Sequence, residues 1–296
     1  MRTIGCGEWG FRDLPMEEHF RIGAKLGFRL MEFGIGGGQV GRLPEQPDRA
    51  TIREFHALGR AYGIDTPFCC IENDFTLPDP SEHERIVGRT LRALADAARC
   101  GATHVRLFAG FRPIDDMDEP TWERVLGAFD DCLFLAERIG VRICIETHGS
   151  IVYDGEAARH RHTITTRADG LARLVRELPV EVAFNWDPGN CKAADPGDPS
   201  CKLDLLRGRI EYCHLKDWVS CGPGWRAAAP GDGDLDYAEL LSRLDFRGPL
   251  LIEYEPTLDV EAGLRRSLAY LHRLGLRHDA PGPLDDAGRG ARALQI

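Results

Sequence analysis

Residues 121–148, TWERVLGAFDDCLFLAERIG followed by VRICIETH, hold one complete structural period. The first part carries apolar residues at i, i+3, i+4 and i+7, the spacing of a buried helix face. Gly140 then stops the helix, where a left-handed residue is needed. The short run Val-Arg-Ile-Cys-Ile follows, rich in β-branched residues, and ends on Glu146, Thr147 and His148. Helix, glycine, apolar strand and polar strand end make one unit of a parallel sheet wrapped by crossover helices.

The unit recurs along the chain. Candidate strands are Thr3 to Trp9, Phe28 to Phe33, Ile64 to Ile71, Thr103 to Phe108, Val141 to Glu146, Val182 to Asp187, Ile210 to Leu215 and Leu250 to Tyr254. Helical segments such as MEEHFRIGAKLG, EHERIVGRTLRALADAARCG and YAELLSRL lie between them, and Gly27, Gly63 and Gly101 repeat the role of Gly140. Eight strands in this alternation predict an α/β fold, a (β/α)8 TIM barrel, as one domain over residues 1–276. The tail 277–296, rich in Gly, Ala, Asp and Pro, is expected to be loosely ordered or to sit at a subunit contact.

Composition narrows the function. A net charge of -10 argues against a nucleic-acid partner, because phosphate binding draws on clustered Lys and Arg. The ten cysteines form no C-x-x-C pair, and Cys69, Cys70, Cys144 and Cys213 fall inside strands, so they read as buried thiols. No signal-peptide pattern opens the sequence and no apolar run reaches the ~20 residues of a membrane span, so a cytoplasmic location is expected.

Barrel enzymes carry their chemistry at the carboxyl ends of the strands. Here the last four strands end in Glu146, Asp187, His214 and Glu253. Taken singly, each has a bland reading: Asp before Pro-Gly is a common turn residue, and a His or Glu after a strand is often a helix cap. Together, three carboxylates and an imidazole at one mouth would repel unless a cation compensated them, which points to one divalent metal. The O3N set suits Mn²⁺ best, with Mg²⁺, Co²⁺, Fe²⁺ or Zn²⁺ as alternatives.

Further candidates stand nearby. His148 leaves the fifth strand on the same side as Glu146, and Lys216 could stabilise developing negative charge. Asp217 either faces substrate or orients His214. Glu32, Arg106 and Asn190 are candidate substrate contacts, although Glu32 could equally form a structural ion pair. The long stretch from Lys216 to Tyr237, with Trp218, Trp225 and Arg226, reads as a lid, and the loop holding Tyr153, Arg159, His160, Arg161 and His162 reads as the opposite wall.

The segments IETH (145–148), WDPGN (186–190), HLKD (214–217), PGDGDLDYAELLSRL (230–244) and LLIEYE (250–255) make the chain resemble the xylose isomerase-like barrel superfamily. The likeness is to its sugar phosphate isomerase/epimerase group, which includes ketose 3-epimerases, hydroxypyruvate isomerases and inosose dehydratases. It implies that Glu146 and Glu253 both bind the metal and face the substrate carbon from opposite sides, as base and acid. The implied activity is isomerisation or epimerisation of a keto-sugar or related polyol carbonyl through an enediolate, in a homo-oligomer or a hetero-oligomer.

Two alternatives belong to the same barrel. A lyase would expel a β-substituent from the same enediolate, as in inosose or dehydroshikimate dehydration or C-glycoside cleavage, with His148 serving the leaving group. An apurinic endonuclease is disfavoured: the third and fourth strands end in Cys70-Ile71-Glu72 and Phe108-Ala109-Gly110, and Asn190 follows Asp187-Pro-Gly, where extra histidines would be needed.

Overall fold

The structure is a computed structural model that describes residues 2–155 and 157–278. Most of the tail expected at 277–296 lies outside the described residues.

The chain runs β1 (Thr3–Cys6), α1 (Met16–Leu26), β2 (Leu30–Ile35), α2 (Arg49–Tyr62), β3 (Asp65–Ile71), α3 (Pro80–Arg99), β4 (His104–Leu107), α4 (Glu119–Ile139) and β5 (Arg142–Glu146). A hairpin of β6 (Ser150–Asp154) and β7 (Ala157–Arg161) precedes α5 (Ala168–Glu177), β8 (Ala183–Trp186), α6 (Pro188–Ala194), α7 (Leu203–Leu206) and β9 (Ile210–Leu215). A second hairpin, β10 (Asp217–Cys221) and β11 (Gly224–Ala228), leads to α8 (Tyr237–Arg243), β12 (Pro249–Ile252) and α9 (Val260–Arg273). Eight strands close in parallel in the order β1-β12-β9-β8-β5-β4-β3-β2, so the expected (β/α)8 barrel is formed. Among the described residues no helix is long and apolar enough to cross a membrane.

Local rules explain the helix ends. Asp48, Asp79 and Asp118 cap α2, α3 and α4 by accepting backbone N–H bonds, and a proline sits in the first turn of α3 and of α4. Gly140 closes α4 at φ 74°, the left-handed conformation that its place in the sequence predicts.

Strand alternation fixes what lies inside the barrel. Leu30, Phe68, Cys144, Ala183, Tyr212 and Leu251 fill the lower interior as an apolar plug. Two residues further along the same strands stand Glu32, Cys70, Glu146, Asn185, His214 and Glu253, all buried. A charged layer therefore rests directly on an apolar one.

The expected lid from Lys216 to Tyr237 is corrected: β10 and β11 pair residue by residue from Asp217↔Ala228 to Cys221↔Gly224, with Gly222 turning the chain at φ 55°. The loop after Glu146 is likewise the β6–β7 hairpin, and the two hairpins join as a four-stranded sheet. β7, β10 and β11 are rich in polar or small residues and β6 carries only Ile151-Val152-Tyr153, so the hairpins give weaker strand signals than the barrel strands. Trp218, Ala158 and Ala193 form a small core that ties this sheet to α6, and Trp225 Nε1 donates to the Ala193 carbonyl at 2.9 Å.

Gly189 in α6 is required by proximity. A Cβ there would lie 2.4 Å from the Lys216 carbonyl oxygen and 2.8 Å from its carbon, both backbone atoms that cannot swing aside. Gly189→Ala is expected to cost about 1–3 kcal/mol, as overpacked sites do. Gly127, exposed on α4 with nothing within 4 Å, is the contrast: Gly127→Ala should be neutral or stabilising by up to about 1 kcal/mol. Urea unfolding midpoints of the two variants check both signs.

Candidate metal centre

Glu146, Asp187, His214 and Glu253 come from β5, the start of α6, β9 and the end of β12, which are carried by four consecutive staves of the barrel. All four are at most 3% exposed, and one ligand atom from each lies within 4.8 Å of the others. The strand ends singled out in the sequence thus converge on one point.

His214 shows how the point is prepared. Its Nε2 lies 3.0 Å from Glu32 Oε1, and since a carboxylate can only accept, Nε2 carries the proton. Tyr212 OH donates to the same oxygen at 3.1 Å. Nδ1 is left buried without a hydrogen-bond partner, 3.3 Å from Glu253 Oε1 and 3.5 Å from Glu146 Oε1. An imidazole anchored through one nitrogen, with the lone pair of the other aimed between two carboxylates, is the geometry of a metal-ligating histidine. The residues present therefore fit a divalent ion.

The carboxylates are held as firmly. Asn190 Nδ2 donates to Glu146 Oε1 at 3.1 Å and to Asp187 Oδ2 at 3.0 Å, while its backbone N–H donates to Asp187 Oδ1 at 2.9 Å. Asp187 is at once the N-cap of α6 and a candidate ligand. Arg106 Nε approaches Glu146 Oε2 at 3.1 Å, with its guanidinium over the Phe108 ring, 4.0 Å from the centroid. Lys216 Nζ lies 2.6 Å from Glu253 Oε2, 3.0 Å from Glu255 Oε2 and 3.8 Å from Asp187 Oδ2.

The buried charges of the four side chains act strongly on one another. Burial pushes the Asp187 carboxyl well above the usual range, against the pull of Lys216. Burial also opposes the charge of His214, but Glu253 and Glu32 overcome it and raise the imidazole well above its ordinary value. Burial and Glu253 would raise Glu146, yet Arg106 and His214 bring it down to about 2. A divalent ion held among these side chains would balance the buried carboxylates.

Above this layer opens a cleft whose empty space, counted out to its mouth, is about 530 Å³. Its wall includes Glu146, Glu253, Lys216, Arg106, His148 and Tyr153, all candidates from the sequence, together with Trp9, Glu72, Phe108, Phe111, Ile151 and Glu255. His148 Nδ1 lies 2.6 Å from the Gly149 carbonyl and must donate to it, leaving Nε2 as the free nitrogen. Burial holds its imidazole below the usual value.

Other expected contacts are placed elsewhere. Glu32 sits beneath His214 and outside the cavity wall, and Asn190 is spent on the two carboxylates. Asp217 neither faces the cavity nor orients His214. Its carboxylate accepts N–H groups from Trp218, Gly231, Gly233 and Leu235, so the PGDGDLDY stretch is a cage around it. Trp218 packs edge-on against His160 in the hairpin core, and Arg226 is exposed on β11. Arg159 and Arg161 pair with Asp154 and Asp116, so the positive cluster of the opposite wall is not gathered at the cavity.

Glu32→Gln tests the preparation of His214. A carboxamide oxygen is a weaker acceptor than a carboxylate, so Mn²⁺ affinity, read by chelator competition, should fall by about 10–100-fold while the fold persists. Unchanged affinity would remove Glu32 from the site.

Comparison with known proteins agrees with this architecture. The D-psicose 3-epimerase of Clostridium cellulolyticum H10, solved with D-tagatose, has a TM-score of 0.70 at 15% identity, over 92% of this chain and 99% of that one. The probable 3-DHS dehydratase AsbF of Bacillus anthracis, involved in petrobactin synthesis, has a TM-score of 0.70 at 17% identity, over 92% and 99%. The IOLI protein, solved with a binding zinc atom, has a TM-score of 0.72 at 12% identity, over 92% and 97%. At such identities the likeness is one of fold. No curated protein matches the sequence. The profile of the family described as Xylose isomerase-like TIM barrel matches residues 20–274, and the chain belongs to that family.

Proposed function

We propose that the protein is a divalent-metal-dependent sugar isomerase or epimerase, acting by proton transfer on a keto-sugar or related polyol carbonyl. The observation that carries this reading is the pair Glu146 and Glu253. They project from the outer two of the four ligand-bearing staves, each with one oxygen toward His214 Nδ1 and the other toward a fixed cation.

Glu146, Asp187, His214 and Glu253 would hold the ion, Mn²⁺ best suiting the donor set. Bound there, a divalent ion supplies Lewis acidity that makes the C–H beside a carbonyl easier to deprotonate. The protein does the rest. Glu146 and Glu253 are placed to remove and return a proton at the open side of the cluster, with Arg106 and Lys216 setting their basicity. Removal by one and return by the other inverts the carbon; return to the neighbouring carbon by the same group converts aldose and ketose. Lys216 faces the negative charge that develops on the substrate oxygens.

A second reading rests on His148. In its protonated form, His148 would donate from Nε2 in the cavity wall to the oxygen of a departing β-group as the C–O bond breaks, which would make the protein a lyase of the same family. An apurinic endonuclease remains disfavoured, since Glu72, Phe108 and Asn190 stand where that chemistry needs histidines.

The test is incubation of the Mn²⁺ or Co²⁺ form with ketoses, inososes and keto-glycosides in D₂O. Deuterium in an intact sugar is expected, and Glu146→Gln and Glu253→Gln should each slow its incorporation by about 10²–10⁴-fold. Loss of a β-group that depends on His148 would establish the lyase. Absence of exchange with every substrate would overturn proton transfer altogether.

A further inference from the structure

Cys70 stands in the same buried layer of the barrel as the candidate ligands, and the metal centre does not use it. It belongs to β3, where it pairs with Gly34 of β2 on one side and with Arg106 of β4 on the other. Its Sγ, a carboxylate oxygen of Glu32 and a ring nitrogen of His214 all lie within 4.8 Å of one another. Nε2 is the nitrogen that meets Glu32, at 3.0 Å, and none of the three residues is more than 1% exposed.

His214 therefore stands between two sets of donors. Nδ1 lies 3.3 Å from Glu253 Oε1 and 3.5 Å from Glu146 Oε1, in the carboxylate set of the outer centre. Nε2 faces one carboxylate and one thiol. The two sets differ in kind: carboxylate oxygens suit a hard ion such as Mn²⁺, whereas a thiolate beside an imidazole favours softer ions. Glu32 and a Cys70 thiolate together carry the two negative charges that balance a divalent ion, and Tyr212 OH, 3.1 Å from Glu32 Oε1, steadies that carboxylate.

A neutral imidazole has one lone pair to give. When Nε2 binds an ion, the thiol proton is released and the ring proton passes from Nε2 to Nδ1, where the Glu253 and Glu146 oxygens accept it. The outer centre then loses its nitrogen ligand.

We propose that Glu32, Cys70 and His214 Nε2 form an inner site for one thiophilic divalent ion, Zn²⁺ or Cd²⁺, and that filling it empties the outer Mn²⁺ centre by withdrawing the shared histidine. This rests on the outer centre of the proposed function and not on the reaction assigned to it. Soft ions inhibit from beneath the site, without competing for its carboxylates.

Cd²⁺ tests this through its ultraviolet thiolate-to-cadmium absorption, followed together with the electron-spin resonance of Mn²⁺ released from the loaded protein. Cys221, the one cysteine that is not buried, is first replaced by serine. Cd²⁺ should then raise a band of one thiolate per chain and release Mn²⁺ in step with it. Cys70→Ser and Cys70→Ala should still bind Mn²⁺, show no band, and need at least about tenfold more Cd²⁺ to release it. Mn²⁺ release without a band, a band that survives both substitutions, or a band formed while Mn²⁺ stays bound overturns the inference, as does the absence of cadmium binding. Failure of the outer centre reads differently: a Cys70-dependent band in a protein that never binds Mn²⁺ would remove the outer centre, and the exclusion with it, and leave the inner site standing.

Discussion

In a closed parallel barrel every second residue of each strand points at the axis, and the whole site depends on that constraint. Here the inward positions climb each strand in steps of two, from Tyr212 to His214 to Lys216, from Leu251 to Glu253 to Glu255, and from Phe68 to Cys70 to Glu72. The lowest step is apolar and sealed. The middle step holds Glu32, Asn185 and His214, which are sealed from water and must answer one another, and Arg106, which also reaches the cavity wall. The upper step meets the cavity.

This stacking leaves each buried charge in need of a partner. Removing one partner from a buried charged pair commonly costs about 3–5 kcal/mol, because the other charge is stranded. Each candidate ligand is accordingly held by a neighbour of fixed geometry: His214 by Glu32, Glu146 by Arg106 and Asn190, Asp187 by Asn190, and Glu253 by Lys216. Side chains held by such partners leave little to reorganise when charge develops, and preorganised charge is the largest contributor to many enzymes' rates.

The barrel strands and the four convergent residues were legible because an apolar run ending abruptly in a polar side chain is a strong local signal. Gly140 and its counterparts marked the helix ends for an equally local reason. What the sequence concealed lay one step beyond the strands. Glu72 and Glu255 continue the inward alternation after the apolar runs have stopped, and Phe108 follows Arg106 on the same count, so carrying that count to the end of each strand marks all three as cavity residues. Asp217 illustrates the converse: adjacent to Lys216 in sequence, it is off the inward count, and its carboxylate turns to backbone N–H groups instead of the axis. Composition alone places Trp218 and Arg226 together in a lid, whereas strand pairing sends one into the hairpin core and the other to solvent.

Asn190 shows why the site and the fold cannot be separated at α6. One side chain spans Glu146 on β5 and Asp187 at the head of the helix, and it can do so only because Gly189 lets the first turn lie against the Lys216 backbone. Lys216 in turn carries the charge that faces Glu253 and Glu255. The close approach of one helix to one strand therefore sets the spacing of three carboxylates and a cation at once. Asp-Pro-Gly-Asn reads locally as a turn, but its glycine serves packing and its asparagine serves the two acids on either side.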